Sequence, residues 1–493
     1  MATVWVNGVA REVAVGTRLS AVLSHIPHPC GGKGICGKCR IRATGALSPL
    51  SVMEERHLTA FEIADNIRLS CCTMVEGDCR VTADAPAQLS VVTDGRAVAT
   101  AVPTFAAYGV AVDIGTTTLA ARLYDTGGRL LARAGCANPQ IAFGADVLSR
   151  VDAAGRGSDL TTPLQTAVNG LVCRLAEEAG IRTVAIDGAV ITGNTAMLCF
   201  LSGTDPASLS RAPFALPRAF GEAVTAASVG LTALPPNRAV YLPPCASAFI
   251  GGDALCAALA CDMDGDDRTA LLADIGTNGE LLLRHRNTLY ACSTAAGPAF
   301  EGVGISCGMP ALDGAIDEVA LVNGGLLPHV IGGGKPIGIC GSGLVDAAAC
   351  LLAMEEMDRS GYIGADALPL CEGVYLTQED MRALQQAKSA VSGGLHTLLH
   401  HADLTADGVE VLYAAGGFGS RLNRRNAAAI GLLPRNLTCP IEPVGNAALD
   451  GASRLLLDVS ARDKLTALVG KIRVVELATD PYFIDRFIQG MDF

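Results

Sequence analysis

Six of the eighteen cysteines of this 493-residue chain fall in its first 80 positions: Cys30, Cys36, Cys39, Cys71, Cys72 and Cys79. Three stand in Cys30-Gly-Gly-Lys-Gly-Ile-Cys36-Gly-Lys-Cys39, and Cys71 closes the string Arg68-Leu69-Ser70-Cys71 after 31 intervening residues. Four thiolates, three from one tight loop and one from a distant strand, can hold a [2Fe–2S] cluster. Glycines let such a loop fold over the cluster and turn backbone N–H groups toward its sulfurs. A four-cysteine zinc site is the alternative, but zinc hooks usually come as two paired two-residue spacers. Here one such pair exists, in a loop rich in glycine. Cys79 reads as a strand residue. The remaining cysteines, such as Cys173, Cys199 and Cys350, are scattered singly through mostly apolar runs and read as small buried hydrophobes.

A second chemistry is written twice. Val110-Ala-Val-Asp113-Ile-Gly115-Thr116-Thr117-Thr118 recurs 161 positions on as Leu271-Leu-Ala-Asp274-Ile-Gly276-Thr277-Asn278-Gly279. Each copy is an apolar strand ending in Asp, a Gly-Thr turn and a second apolar strand. Glycine allows close backbone approach in such a turn, and threonine hydroxyl and N–H groups can bind phosphate oxygens. An aspartate at the strand end can hold Mg²⁺, usually through water. One such turn alone reads as an ordinary hairpin; two copies facing each other carry the phosphate reading. No Gly-x-x-x-x-Gly-Lys-[Ser/Thr] string is present, which disfavours a P-loop ATPase.

These residues need elements to place them. Thr3–Val6, the turn Asn7-Gly8 and Val9–Val15 read as a hairpin. Leu19–His25 and Glu54–Ile63 read as short helices, and Arg68–Val81 as strand. Residues 1–84 therefore read as a small sheet crossed by a helix. Residues 85–107 lack a clear period and read as a linker whose coil would reach about 25 Å. From Tyr108 strands and helices alternate. Third strands are expected at Arg129–Ala134 and Thr288–Cys292, and Val190–Thr195 corresponds to Val411–Gly417. Two related α/β halves, 108–266 and 267–493, are the simplest account. Hydrophobic residues make up 50% and charged residues 17%, which excludes a disordered chain. A net charge of −12 makes a nucleic-acid groove unexpected. No run of eighteen apolar residues and no secretory leader is read, so no membrane partner and a cytoplasmic protein are expected.

Residues 1–84 resemble the [2Fe–2S] ferredoxins of plant and vertebrate type, which implies a β-grasp fold and prefers Cys71 over Cys72 as fourth ligand, directly after Arg-Leu-Ser. Residues 108–493 resemble the superfamily of acetate and sugar kinases, heat-shock ATPases, hexokinases and actin. Its ordered signature matches Asp113–Thr118 (with Gly115, Thr116, Thr117 and Thr118), Gly193-Asn194-Thr195, Asp274–Glu280 (with Gly276, Thr277 and Asn278), Ala415-Gly416-Gly417-Phe418-Gly419 and Val444-Gly445-Asn446-Ala447-Ala448. The combination resembles the reductive activators of corrinoid proteins. Asn138-Pro139-Gln140, Gly144–Val147, Leu376–Asp380 with Gln385 and Lys388, and the closing Val475–Leu477 and Phe493 agree with that family.

The resemblance implies an α/β multidomain chain: a β-grasp ferredoxin-like domain joined to a two-lobed actin- and hexokinase-like ATPase. It implies ATP, Mg²⁺ and a [2Fe–2S] cluster as cofactors. A low-potential electron donor and the corrinoid protein of a methyltransferase system are the implied partners, and a homodimer is allowed for. The implied job is one-electron reduction of inactive Co(II) to Co(I). Asp113 and Asp274 would position Mg²⁺ and the attacking water. Gly416 and Gly417 would let backbone approach adenosine. The alternatives are an activator of another low-potential enzyme and a small-molecule kinase with a redox domain. Asp253 reads equally as a pocket acid or a helix-start residue, and Ser342 as a secondary nucleotide candidate. Gly332-Gly333-Gly334-Lys335 reads as a flexible loop, and His396, His400 and His401 as a solvated helix face.

Overall fold

A computed structural model of the chain describes all residues except 24, 25, 27, 29–31, 35, 36, 38, 84–92, 94, 97–99, 266, 277 and 417–420. Of the residues singled out above, Cys30, Cys36, Thr277, Gly417, Phe418 and Gly419 lie outside the described set.

The first hairpin forms where the sequence places it. Asn7 and Gly8 take φ of 49° and 87°, the turn geometry that matches the twist of paired strands. Strands β1 (Ala2–Val6) and β2 (Val9–Val13) pair antiparallel on either side of it. With β3 (Arg40–Leu47), β4 (Ile67–Leu69) and β5 (Val75–Thr82) they form one sheet, ordered β2-β1-β5-β3-β4. Strand β1 runs parallel to β5, as in a β-grasp. Two expectations change here. The helix expected over Glu54–Ile63 is two short helices, Val52–His57 and Ala60–Ala64. Each has its own capping box, Ser51 with Glu54 and Thr59 with Glu62, so Leu58 and Thr59 leave the helical path. The strand expected over Arg68–Val81 is also two strands, and the turn between them carries Cys71 and Cys72.

The repeat becomes two six-stranded sheets of one design. In the first, β6 (Tyr108–Ile114), β7 (Thr118–Asp125) and β8 (Leu130–Ala137) meander antiparallel. Strand β9 (Ile186–Gly193) lies parallel to β6, followed by β11 (Ala239–Leu242) and β10 (Glu222–Thr225). In the second, β12 (Ala270–Ile275), β13 (Gly279–His285) and β14 (Thr288–Thr294) repeat the meander. Two small sheets are inserted next, from β15 (Ala315–Val322), β16 (Gly325–Val330) and β17 (Gly338–Ile339), then β18 (Ala367–Cys371) and β19 (Val374–Thr377). Strand β20 (Val411–Ala415) then lies parallel to β12, with β21 (Ile441–Gly445) beyond it and β22 (Ile472–Val474) on the far edge.

The helices Gly252–Ala260 and Ala447–Leu457 share an apolar core with strand residues of both sheets, including Ala111 and Val190 from one and Leu272 and Val411 from the other. Gly451 is where the two helices touch: a Cβ there would stand 2.0 Å from the Cys256 carbonyl oxygen. Buried Lys388 secures the chain's end, donating to the carbonyls of Gly490 and Asp492 at 2.7 and 2.6 Å.

Two glycines test this packing. Gly451→Ala is expected to destabilise the chain by about 1–3 kcal/mol through overpacking. Gly170→Ala, in open space on the helix Thr161–Glu178, should stabilise it by roughly 0.5–1 kcal/mol. Denaturant unfolding of both variants beside the parent reads the two signs.

Candidate functional site

Two sites follow from this frame. In the small domain, Cys39 sits at the entry to β3, and Cys71 follows Ser70 at the exit of β4. The adjacent strands bring them together: Ser70 N–H donates to the Cys39 carbonyl at 2.9 Å, and the two sulfurs lie 3.2 Å apart. Both thiols are buried. The hydrogen bond to Cys71 lowers the Cys39 thiol to about 6 against the effect of burial. The same pairing, with burial, raises that of Cys71. The two buried sulfurs stand side by side, a donor set that fits two ligands of an iron–sulfur cluster.

Cys72 is half-buried, with its sulfur 3.7 Å from that of Cys71, and makes no contact with Cys39 that rivals it. Cys79 is buried on β5, in register with Val4 and Gly45, as a core residue. Glu54 holds the frame behind Cys71. Burial opposes its charge, but Arg68 and the N–H groups of Ser51 and Leu69 hold it down to about 2.

The second site lies where the two large sheets end. Asp113 and Asp274 occupy the same penultimate position of β6 and β12. Asp253, in the first turn of the helix Gly252–Ala260, joins them. Burial pushes all three carboxyls up to about 7, and they repel one another: Asp274 acts on Asp113, Asp113 on Asp253, and Asp253 with Glu301 on Asp274. Glu280 on β13 is raised too, by burial, then by Asp253 and Asp274. Asp253 is therefore both a helix-start residue and a cleft acid.

The turns between the strands are closed from within. Gly115 N–H donates to the Thr118 carbonyl at 2.9 Å, and Gly276 N–H to that of Asn278 at 3.0 Å. Asn194 donates to the Thr116 hydroxyl at 3.2 Å and caps the helix Thr195–Ser202. A Cβ on Gly193 would crowd the Ile114 carbonyl at 2.8 Å. Gly416 has φ of 75°, and a Cβ there would sit 3.1 Å from an Asp274 oxygen. Asn446 donates to Asp113 at 3.0 Å.

Arg150 and Glu301 were not singled out from the sequence, and Glu280 was named only as the end of the second phosphate motif. Arg150 is fully buried and donates to the carbonyl of Thr116 at 2.6 Å and of Gly144 at 2.9 Å. Asn138 donates to the Gly115 carbonyl at 2.9 Å. The strings Asn138–Gln140 and Gly144–Val147 thus brace the first turn. Glu301 ends a 3₁₀ turn, Pro298–Glu301, and one of its oxygens lies 3.5 Å from where a Gly276 Cβ would be. Its only sequence signal was position, just beyond the third strand of the second repeat.

The other candidates do less. The Ser342 hydroxyl donates to the Asp317 carbonyl at 2.8 Å and is spent there. Lys335 pairs with Glu372 on the surface. The histidines keep a partly solvated face: His400 is exposed and stacks on Tyr482 at 4.0 Å, and half-buried His401 bonds Asp480, the cap of the helix Pro481–Gln489, at 2.7 Å. Among the described residues no three His, Cys, Asp or Glu side chains group closely enough to ligate a metal directly.

Comparison with known proteins follows the same division. Residues 5–76 match the model of the 2Fe-2S iron-sulfur cluster binding domain, 108–266 that of the RACo middle region, and 268–493 that of the C-terminal domain of RACo, the ASKHA domain. The chain is 34% identical over 423 residues to the corrinoid activation enzyme RamQ of Eubacterium limosum, covering 78% of this chain and 70% of that one. It belongs to the corrinoid reductive activators. The family's solved reductive activator for a corrinoid, iron-sulfur protein aligns over 100% of this chain and 98% of its own, with a TM-score of 0.69 and 27% identity. A Methanosarcina barkeri reductase of a methylated amine-specific Co(II) corrinoid protein is 28% identical over 48% of each chain. The activator fold is thus a ferredoxin-type domain joined to an ASKHA ATPase domain. Among the described residues no helix is long and apolar enough to cross a membrane.

Two predictions follow. Cys71→Ser should lose the cluster while Cys72→Ser keeps it, read as iron per chain and the visible spectrum. The raised carboxyls set a pH dependence. Held near 7 in the folded chain against about 4 unfolded, they bind more protons folded between those values, so their stabilising contribution falls as pH rises through that window. Asp274→Asn should therefore be more stable than the parent at pH 8 without divalent cation, by on the order of 1–2 kcal/mol. The gain should vanish near pH 4 in denaturant titrations.

Proposed function

We propose that this chain uses MgATP to drive one electron from a [2Fe–2S] cluster onto the cobalt of a corrinoid protein, returning Co(II) to Co(I) for methyl transfer. The observation that carries this reading is the presence, in one chain, of paired buried thiols in a ferredoxin-type domain and a carboxylate cleft at the ends of two repeated strands. Cys30, Cys36, Cys39 and Cys71 are the residues that would hold the cluster. The cluster supplies a one-electron store, filled by an external low-potential donor.

The chain's own residues do the rest. Asp113 and Asp274 hold hydrated Mg²⁺ and orient the water that attacks the terminal phosphate. Thr116, Thr117, Thr277 and Asn278 meet the phosphates. Gly115, Thr118, Gly193, Asn194 and Gly276 shape the turns, and Gly416 and Gly417 admit adenosine. Neutralising the crowded acids favours closure of the lobes around MgATP, a hinge motion.

ATP has a physical task in this reading. Ferredoxin clusters of plant type sit near about −400 mV. A donor 100 mV too weak meets about 2.3 kcal/mol per electron, roughly a fiftyfold unfavourable equilibrium. Remodelling of the bound corrinoid protein can offset that gap without any change in the cluster. A cytoplasmic location belongs to the same proposal, since thiols stay reduced there.

Two variants separate the halves. Cys39→Ser should still bind MgATP but form no Co(I). Asp274→Asn should keep a cluster that dithionite reduces, yet also form no Co(I) from a mild donor. Both are read from the Co(II) and Co(I) absorption bands under anaerobic conditions. Full Co(I) formation by either variant would overturn the reading.

A further inference from the structure

The stretch between the small domain and the first large sheet was expected to be a coil. Its described residues are instead fastened along the helix Ala447–Leu457. Thr104 donates through N–H and hydroxyl to the Leu456 carbonyl, at 2.9 and 3.0 Å. Ala101 N–H reaches the Leu457 carbonyl at 3.3 Å, and Val459 N–H returns to Val102 at 2.8 Å. Phe105 is buried in the core that this helix shares with both sheets.

The upstream anchor is tighter. Gly95 makes an antiparallel bridge with Gly445, the last residue of β21. Arg96 N–H donates to Asp450 at 2.7 Å, and its guanidinium reaches Glu442 at 2.7 Å and lies over the Tyr413 ring. The other Asp450 oxygen accepts from Arg122 of β7 at 2.7 Å, and Arg122 also donates to the Thr93 carbonyl at 2.9 Å. Arg122 and Asp450 are both buried. A Cβ on Gly95 would stand 2.2 Å from an Asp450 oxygen, so glycine is required at that approach.

Two features of this junction matter. First, it spans the lobes: Thr93 is held by the first sheet through Arg122, while Gly95 and Arg96 are held by the second sheet and the helix. Second, it stands one helical turn from the cleft. Asn446, the cap of this helix, donates to Asp113, and Asp450 N–H donates back to the Asn446 carbonyl at 3.0 Å.

We infer that Asp450, with Arg122 and Gly95, is the positioning junction through which nucleotide in the cleft controls the connector and hence the placement of the cluster domain. The inference rests on the nucleotide reading of the cleft. A ligand drawing on Asp113 competes with Asn446 for that carboxylate, and motion of one lobe against the other pulls residues 93 and 96 in different directions. A buried pair anchored on both sides transmits such a shift, because its groups lose their partners if they do not move together. Coupling of this kind is reciprocal: what nucleotide does to the connector, the connector does to nucleotide affinity.

The test uses the full chain with its cluster and the non-hydrolysable analogue Mg·AMPPNP. Calorimetry first measures binding, and hydrogen exchange then follows the peptide covering 93–107. In the parent, the analogue should change exchange of that peptide by at least about threefold. Gly95→Ala should remove the response and shift analogue affinity by about fivefold or more, although residue 95 lies outside the cleft. Arg96→Ala, a milder change at the rim, should reduce both effects while leaving the thermal transition in place. Binding without any change in connector exchange would overturn the inference and leave the nucleotide site standing. So would an unchanged response in Gly95→Ala. Absence of binding in the parent would remove the nucleotide reading and this inference with it.

Discussion

Asp113, Asp253 and Asp274 stand where two halves of one chain meet, and they cannot all ionise at low cost. Each is half-buried, and each raises one of the others. That repulsion is a structural constraint before it is a chemical one. Any positive charge placed among the three carboxyls would relieve that repulsion. The two equivalent strands β6 and β12 set the positions of two of these acids, and the helix Gly252–Ala260 sets the third. The helix Ala447–Leu457, packed against it at Gly451, carries the asparagine that reaches the first acid. Burial, repetition and close helix contact therefore converge on one place in the molecule.

Much of this arrangement was legible because it is repeated. The two Asp-Ile-Gly-Thr strings fix the phase of two meanders, and the weaker likeness of Val190–Thr195 to Val411–Gly417 marks the parallel fourth strands, β9 and β20. The hairpin at Asn7-Gly8 was legible because its turn needs two residues tolerant of positive φ. Spacing singled out Cys39, while the choice of Cys71 over Cys72 came from the ferredoxin resemblance; the chain brings the sulfurs of Cys39 and Cys71 to 3.2 Å. Other parts had no local signal. Arg150 is written like any helical arginine, and only the folded chain shows its guanidinium buried beneath the first turn. The break at Leu58 was hidden because Thr59 and Glu62 suit a helix interior and a new cap almost equally well.

The connector shows a further limit of composition. Few charges and no period read as loose coil, yet Phe105 enters the core and Arg96 and Thr104 bind the helix Ala447–Leu457 and its surroundings. Its contacts are made mostly by backbone groups and by partners hundreds of residues away, which no window of sequence displays. The described residues that lead into the ATPase lobes are held by both sheets, Thr93 through Arg122 and Gly95 and Arg96 through the strand Ile441–Gly445 and Asp450.

In the proposed cycle, energy from the cleft is spent on an electron step made at the cluster, elsewhere in the chain. The direct measurement is the fraction of Co(I) formed in a corrinoid protein poised with a redox buffer about 100 mV above the cobalt couple, with and without MgATP. The account predicts a small Co(I) fraction without nucleotide and a large one with it, falling back when ATP is exhausted. Equal Co(I) at the same potential in both conditions would contradict it.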